Sequence, residues 1–195
     1  MHAPSGEHME AIHRILRYLK GTPGKGLFFR NTAERSIEVY TDADWASSVD
    51  DRRSTSGYCS LILGNLVTWR SKKQIVVARS SVEVELRAVT HGMCEILWLK
   101  MILEELKVMV KKPMKVYCDN KAAINISHNP VHHDRTKHVE VDRHFIKEKI
   151  DKGAVCMTYV PTTEQVANML TKGLSRPLFG KLINKLRMYN LYNLA

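Results

Sequence analysis

The sequence lacks any long apolar run. None of its runs approaches the about 20 residues that a membrane-spanning helix needs. The opening segment, MHAPSGEHME, also lacks the order of charged and then apolar residues that marks a secretory signal. We therefore expect an intracellular protein, in the cytoplasm or the nucleus, with no membrane partner.

Cysteine is scarce as well. The chain of 195 residues has 4 cysteines, and no two of them have CxxC spacing. This disfavours a zinc knuckle and a disulfide framework, so we interpret the cysteines as reduced, mostly buried thiols. They are Cys59, Cys94, Cys118 and Cys156.

Acidic residues are outnumbered by basic ones. The 20 Asp and Glu residues against 30 Lys and Arg residues give a formal net charge of +10. A charge of this size favours a polyanionic partner, with nucleic acid ahead of an acidic membrane surface. The length and the hydrophobic content of 44% allow one domain with an ordinary core and an appended element at either end.

The first half of the chain carries mostly strand patterns. Apolar residues repeat at helical spacing in residues 7–20, which predicts a basic amphipathic helix. Strands are predicted in GLFFRN and in RSIEVYTDADW. The segments SGYCSLIL and NLVTWRSK, on either side of a turn at Gly64-Asn65, predict a hairpin.

The second half carries mostly helix patterns. Ser80 lies three residues before Glu83, a capping-box spacing, and predicts a helix that continues to about Leu106. A short strand in PMKVYCDN, a short helix in AAINIS and a charged helix ending at Gly153 follow. VCMTYV predicts the last strand, and TEQVANMLTKGL and PLFGKLINKLRMYNL predict two closing helices. This order predicts a mixed sheet with helices packed on it.

Three of the predicted elements carry an acid in an unusual place. Asp42 and Asp44 share one face of a strand, where unpaired carboxylates would repel each other. Glu85 falls on the apolar stripe of the long helix, and Asp119 follows an apolar strand at its carboxyl end. A buried carboxylate needs a cation, a hydrogen-bond network or a metal. Oxygen ligands from three elements favour Mg²⁺ or Mn²⁺ over zinc.

Each of these acids also has a plainer interpretation. Asp119 and Asn120 could cap the helix that follows, and Asp42 could be an ordinary turn residue. Glu85 could pair with a buried arginine. One shared metal site accounts for Asp42, Glu85 and Asp119 together, and we favour it. For Asp44 we favour capping or support of the site over metal binding.

Several blocks of the sequence resemble one family. In chain order these are YTDADWASS, DRRSTSGYCSLILG, TWRSKKQIVVARSSVEVELRA, VYCDNKAAINISHNPVHHDRTKHVEVDRHFI and QVANMLTKGL. Over roughly residues 36–175 they resemble the ribonuclease H domain of copia-type long-terminal-repeat retrotransposon polyproteins. Residues 1–30 resemble the end of the preceding reverse transcriptase region, without the YxDD polymerase motif. The resemblance implies a ribonuclease H-like domain over 31–175 and a C-terminal helical extension over 176–195.

The resemblance also implies a fold and a catalytic site. The fold is α/β, with a five-stranded mixed sheet, three strands antiparallel, and helices on both faces. In the family, four acids hold two Mg²⁺ or Mn²⁺ ions and cleave the RNA strand of an RNA–DNA hybrid. Three of these acids match Asp42, Glu85 and Asp119. The fourth, in an ADxLTK-like block, is replaced here by Asn168, which keeps an acceptor oxygen but loses the charge, so we expect weaker binding of one ion.

Polar and basic residues are expected on the hybrid-binding side. Ser80 and Ser81 precede the helix of Glu85, where hydroxyl groups can contact ribose 2′-OH groups, although Ser80 also suits a helix cap. The basic residues around them favour phosphate contact. The predicted substrate-binding residues are Ser80, Ser81, Arg79, Lys73, Asn120 and His138.

The histidines between His128 and His144 do not predict a zinc site. Pro130 interrupts the helix that would align the first of them, and no cysteine lies in the segment. His138 belongs to a block of the family resemblance, which favours a structural or substrate-side contact.

Two classes of function remain open from the sequence. The first is a metal-dependent endoribonuclease that acts on RNA–DNA hybrids. The second is a catalytically impaired module, derived from a retrotransposon, that binds nucleic acid or protein. An integrase or an exonuclease of the same fold is disfavoured, because the blocks match neither.

Overall fold

The computed structural model describes residues 3–32, 35–128 and 140–193. His138, one of the predicted substrate-binding residues, lies outside these ranges. The elements in chain order are α1 (Gly6–Lys20), β1 (Lys25–Leu27), β2 (Ile37–Asp44), β3 (Thr55–Ile62), β4 (Asn65–Lys73), α2 (Ser81–Glu105), β5 (Met114–Cys118), α3 (Lys121–His128), α4 (Glu140–Asp151), β6 (Val155–Tyr159), α5 (Arg176–Lys185) and β7 (Met188–Asn190).

Five strands form the main sheet, in the order β4-β3-β2-β5-β6. The strands β2, β3 and β4 are antiparallel neighbours, whereas β5 is parallel to β2 and β6 is parallel to β5. Leu63 and Gly64 join β3 to β4 with φ angles of 54° and 70°, as a two-residue turn of a twisted hairpin requires. The predicted α/β fold, with its mixed sheet and three antiparallel strands, is confirmed.

Both faces of the sheet are covered, because successive residues of a strand point to opposite faces. Val39 packs in one cluster with Val89 and Met93 of α2. Its neighbour Tyr40 packs in another cluster with Leu182 of α5. The long helix and the last helix therefore lie on opposite faces of β2.

The prediction of a helix over TEQVANMLTKGL is wrong. The chain there forms two short 3-10 turns, Thr162–Glu164 and Val166–Leu170. Gln165 separates them with an extended backbone (φ −78°, ψ 100°), and its side chain is fully buried. The buried amide bonds to two strands, described below, and this tertiary contact overrides the helical tendency of the segment.

The second closing helix, predicted over PLFGKLINKLRMYNL, is shorter than expected. The helix α5 ends at Lys185, and Arg187 has a φ of 56°, a left-handed conformation that stops a helix. The strand β7 follows and pairs antiparallel with β1, with Lys25 opposite Asn190. Segments near the two ends of the described chain thus share a small second sheet.

All four cysteines are free; Cys59 and Cys118 are buried, Cys156 is half-buried, and Cys94 is exposed. Among the helices within the described ranges, none has both the length and the apolar composition needed to cross a bilayer.

Candidate metal centre

Two acids follow a matched pair of tyrosines where β2 and β5 separate. The parallel pairing of these strands ends at Tyr40 and Tyr117, whose rings stack with their centroids 4.4 Å apart. Asp42 and Asp119 each come two residues after one of these tyrosines. Because the strands are parallel and in register, both acids reach the same carboxyl-terminal edge of the sheet.

A glycine lets α2 carry the third acid to this edge. A Cβ atom on Gly92 would lie 2.5 Å from Thr41 Cγ2 and 3.1 Å from Val39 Cγ2, so the helix packs directly against β2. Seven residues earlier on α2, the Oε1 atom of Glu85 accepts a hydrogen bond of 3.3 Å from the Ala43 N–H. Glu85 is therefore attached to the strand that carries Asp42.

The α2 helix begins with a reciprocal cap. The Glu83 N–H donates to Ser80 Oγ at 3.2 Å, and the Glu83 carboxylate accepts from the Arg79 N–H at 2.8 Å. Glu83 also pairs with Arg87 at 2.7 Å. These bonds fix the first turns of the helix, the part that carries Glu85.

Burial and two neighbouring carboxylates raise the pKa of Glu85. Its pKa rises to about 9, first because burial penalises the charged form and then because Asp42 and Asp119 are negative neighbours. Burial, and then the charge of Asp42, also raise the pKa of Asp119, whose carboxylate accepts a hydrogen bond of 2.9 Å from Thr162 Oγ1. Within the described ranges, no lysine or arginine forms an ion pair with Glu85 or Asp119.

Asp42 has a different environment. It is fully buried, and one carboxylate oxygen accepts from the Lys172 ammonium at 2.9 Å, while the other accepts from the Thr171 hydroxyl. The same ammonium lies 3.2 Å from Asn168 Oδ1. Asn168 Nδ2 in turn donates to the Thr162 carbonyl at 2.9 Å. The sequence did not predict Lys172 or Thr171, although both follow Asn168 in the QVANMLTKGL block.

A second glycine leaves space for the turn that carries Asn168 and leads into Thr171 and Lys172. Gly57 of β3 is the partner of Asp42 in the β2–β3 register. A Cβ atom on Gly57 would lie 2.9 Å from both Leu170 Cβ and Thr171 Cγ2. The bare backbone of Gly57 therefore allows the Val166–Leu170 turn to lie against β3 beside Asp42.

Gln165 anchors the same turn from beneath. Its Nε2 atom donates to the Thr41 carbonyl at 2.9 Å and to the Tyr117 carbonyl at 3.3 Å. These two carbonyls lie on β2 and β5 just where the strands part, so the amide satisfies groups that strand pairing leaves open. A buried glutamine in a polar segment has no signal in the sequence.

The geometry fits a divalent cation with hard oxygen ligands. Ligand atoms of Glu85, Cys118 and Asp119 lie within 4.8 Å of one another. The Cys118 thiol lies 3.9 Å from Glu85 Oε2, and burial raises its pKa further above the neutral range, which keeps it protonated. Oxygen rather than sulfur is thus the available ligand, and a carboxylate pair with this spacing favours Mg²⁺ or Mn²⁺.

The predicted substrate-binding residues occupy several places around this centre. Ser80 caps α2, and Ser81 and Arg79 are exposed beside it. Asn120 Oδ1 accepts from the Ala123 N–H at 3.0 Å, so this residue caps α3. Lys73 Nζ lies 2.9 Å from Asp51 and 2.8 Å from Ser48 Oγ. Ser80 and Asn120 thus have the capping roles that the sequence also allowed.

A basic groove lies on the α2 side of β4. It has a volume of about 410 Å³, and its walls include Arg70, Lys72, Arg87 and His91, with Asp142 as an acid among them. Burial lowers the pKa of His91, which favours its neutral form. The other basic residues give the groove a positive character suited to phosphate groups.

Comparison with curated proteins finds relatives among plant transposons, and no protein-family model matches the chain. The chain is 42% identical over 186 residues to the retrovirus-related Pol polyprotein from transposon RE1 of Arabidopsis thaliana. It is also 42% identical over 176 residues to that from transposon TNT 1-94 of Nicotiana tabacum. The matches cover 95% and 90% of this chain, which spans only 13% of either polyprotein.

Solved structures with a similar fold are ribonuclease H domains. LC11-RNase H1 in complex with RNA/DNA hybrid matches with a TM-score of 0.53 and 13% identity, over 70% of this chain and 94% of that one. The N-terminal RNase H domain of Rv2228c from Mycobacterium tuberculosis matches with a TM-score of 0.50 and 12% identity, over 71% of this chain and 91% of that one. At these identities the likeness concerns the fold.

Proposed function

We propose that this chain, which is homologous to the Pol polyproteins of copia-type retrotransposons and has a ribonuclease H fold, cleaves the RNA strand of RNA–DNA hybrids. The observation that carries the proposal is the convergence of Asp42, Glu85 and Asp119 from two strands and a helix. The charge of Asp42 raises the pKa of both Glu85 and Asp119, which is unfavourable by itself, and divalent cations would remove that repulsion.

The residues at this metal centre would have distinct roles in metal binding and positioning. Asp42, Glu85 and Asp119 would hold Mg²⁺ or Mn²⁺, with the Asn168 amide oxygen as a weaker fourth ligand. Two bound ions would polarise the scissile phosphate and lower the pKa of the attacking water. Thr162 orients Asp119 through its hydroxyl group, and Gln165 holds the turn that presents Asn168.

The hybrid would bind across the basic edge of the molecule. The groove with Arg70 and Lys72 offers phosphate contacts, and the exposed start of α2 offers the Ser81 hydroxyl and the Arg79 guanidinium. For Lys73, Asn120 and His138 a substrate contact stays a prediction. One of the matching folds was solved with an RNA/DNA hybrid, which supports this class of substrate.

The test is cleavage of a labelled RNA–DNA hybrid with Mg²⁺ and with Mn²⁺. We expect cleavage by the parent chain and a loss of at least about a hundredfold in Asp42→Asn. Asp50→Asn is the matched control, because Asp50 is an exposed acid in the loop after β2 and should retain activity. Cleavage that survives Asp42→Asn would reject the site.

A catalytically impaired module that binds nucleic acid is the second candidate. The observation that favours it is Asn168, which leaves the site one negative charge short of the four-acid pattern. The variant Asn168→Asp separates the two proposals in the same assay. An inactive parent whose activity is restored by Asn168→Asp would favour the impaired module and support the site together.

A further inference from the structure

Lys172 lies between two of the proposed metal ligands, where a bound cation is expected. Its ammonium lies 2.9 Å from Asp42 Oδ1 and 3.2 Å from Asn168 Oδ1, so it joins the two oxygen ligands that come from β2 and from the Val166–Leu170 turn. We call Asp42, Asn168 and Lys172 the Asp42 arm of the site. Glu85 and Asp119 form the Glu85 arm.

The backbone holds Lys172 in this place. The Lys172 N–H donates to the Asn168 carbonyl at 3.0 Å, which puts the two residues one turn apart and their side chains on the same side. Thr171 donates its hydroxyl group to the other oxygen of Asp42, so both oxygens of this buried carboxylate are satisfied. The backbone and the Thr171 hydroxyl group therefore hold the Lys172 ammonium and the Asp42 carboxylate in contact.

The charges of the two arms differ. In the Asp42 arm, one carboxylate faces one ammonium and a neutral amide, so the arm is neutral. In the Glu85 arm, two carboxylates have no ion-pair partner among the described residues, so full ionisation leaves a charge that one divalent cation would match. The asymmetry depends on Asn168, since an aspartate there would leave the Asp42 arm negative.

We propose that Lys172 is a resident cation of the Asp42 arm and that it competes with the second metal ion. The inference rests on the proposed metal centre and deepens it. One divalent ion binds in the Glu85 arm, and a second ion enters the Asp42 arm only after the ammonium swings out. The side chain of Lys172 is about one third exposed, so it has a path to solvent.

The competition has a physical basis in the desolvated carboxylate. A lysine ammonium is charged at neutral pH, and here it lies 2.9 Å from an oxygen of a fully buried carboxylate. A metal ion must displace this bond before it can contact Asp42, and the displacement weakens its binding.

The experiment counts bound Mn²⁺ by titration calorimetry and by electron paramagnetic resonance of the free ion. We expect one tightly bound ion per parent chain, and a second ion bound at least about tenfold more tightly in Lys172→Met than in the parent. Lys181→Met is the matched control, because Lys181 pairs with Glu164 outside the site and should leave the count unchanged. Lys172→Gln, which can still donate to Asp42, gives the count if Lys172→Met does not fold.

The outcomes separate the inference from the proposed function. If the parent and both Lys172 variants bind the same number of ions with the same affinities, the resident-cation role is wrong while the metal centre stands. If no variant binds Mn²⁺ and none cleaves a hybrid, the proposed function and the inference both fail. A second ion gained in the Lys172 variants alone supports both.

Discussion

Gly57 lies directly opposite Asp42 in the β2–β3 ladder, and the side chains of Leu170 and Thr171 occupy the space that a Cβ atom on Gly57 would need. We predict that Gly57→Ala lowers the free energy of unfolding by about 1–3 kcal/mol, because the Val166–Leu170 turn must shift away from β3. The shift also moves Thr171 away from Asp42. Urea denaturation measures the first effect, and Mn²⁺ titration measures the second.

Gly180 is the control for this substitution. It lies inside α5, and a Cβ atom added there would meet nothing within 4 Å. Gly180→Ala should raise the free energy of unfolding by about 0.5–1 kcal/mol, because alanine loses less backbone entropy in a helix. Equal effects at the two glycines would contradict the close approach at Gly57.

We predict that Glu85→Gln stabilises the metal-free protein at alkaline pH. The unfolded chain releases the Glu85 proton above pH 4.5, whereas the folded state keeps it to about pH 9. The folded state binds more protons between these values, so the free energy of unfolding falls as the pH rises through this window. The variant has no carboxylate at this position and does not lose stability in this way. At pH 8 its free energy of unfolding should exceed that of the parent by about 1–3 kcal/mol, measured by urea denaturation with a chelator present.

The exposed Glu105 at the end of the same helix provides the comparison for Glu85. Glu105→Gln should leave the free energy of unfolding unchanged within about 0.5 kcal/mol. With Mn²⁺ in excess, Glu85→Gln should be less stable than the parent, since the variant lacks a metal ligand. A metal-free Glu85→Gln protein that is less stable than the parent at pH 8 would be evidence against carboxylate repulsion.

Gln165→Leu should destabilise the fold by about 2–3 kcal/mol, because the Thr41 carbonyl loses the amide donor and the Tyr117 carbonyl keeps only the Thr41 hydroxyl. Metal affinity should fall with it, since the turn carrying Asn168 loses its anchor. Thermal denaturation and Mn²⁺ titration test the two effects. Thr163→Ala, at an exposed neighbouring position, should change neither.

The thiols should react in the order of their exposure. Burial raises the pKa of Cys59 to about 12, whereas Cys94 is exposed. At pH 8 a disulfide reagent should modify Cys94 in the native protein, and Cys59 at least about a hundredfold more slowly. Cys94→Ser should remove the fast phase. Rapid modification of Cys59 in the folded protein would contradict its place in the core.

The acids could be predicted from local patterns. Strand alternation and the apolar stripe of α2 located Asp42, Glu85 and Asp119, since each pattern is set by neighbours along the chain. Lys172 could not be located in this way, because its partner Asp42 is 130 residues away in sequence. The same holds for Gln165, whose two acceptors lie on strands far along the chain. Long-range hydrogen bonds set the turn that local helix propensity misassigned.

The β1–β7 pairing has a consequence for shortening the chain. A chain cut at residue 175, the predicted end of the ribonuclease H-like domain, would lose β7 and leave β1 as an unpaired edge. It would also uncover Tyr40 and Cys59, which pack against Leu182 and Leu186. Both changes expose surfaces that favour aggregation. The segment with β1 and the segment with α5 and β7 therefore stabilise the domain together, and we expect a soluble fragment to need both of them.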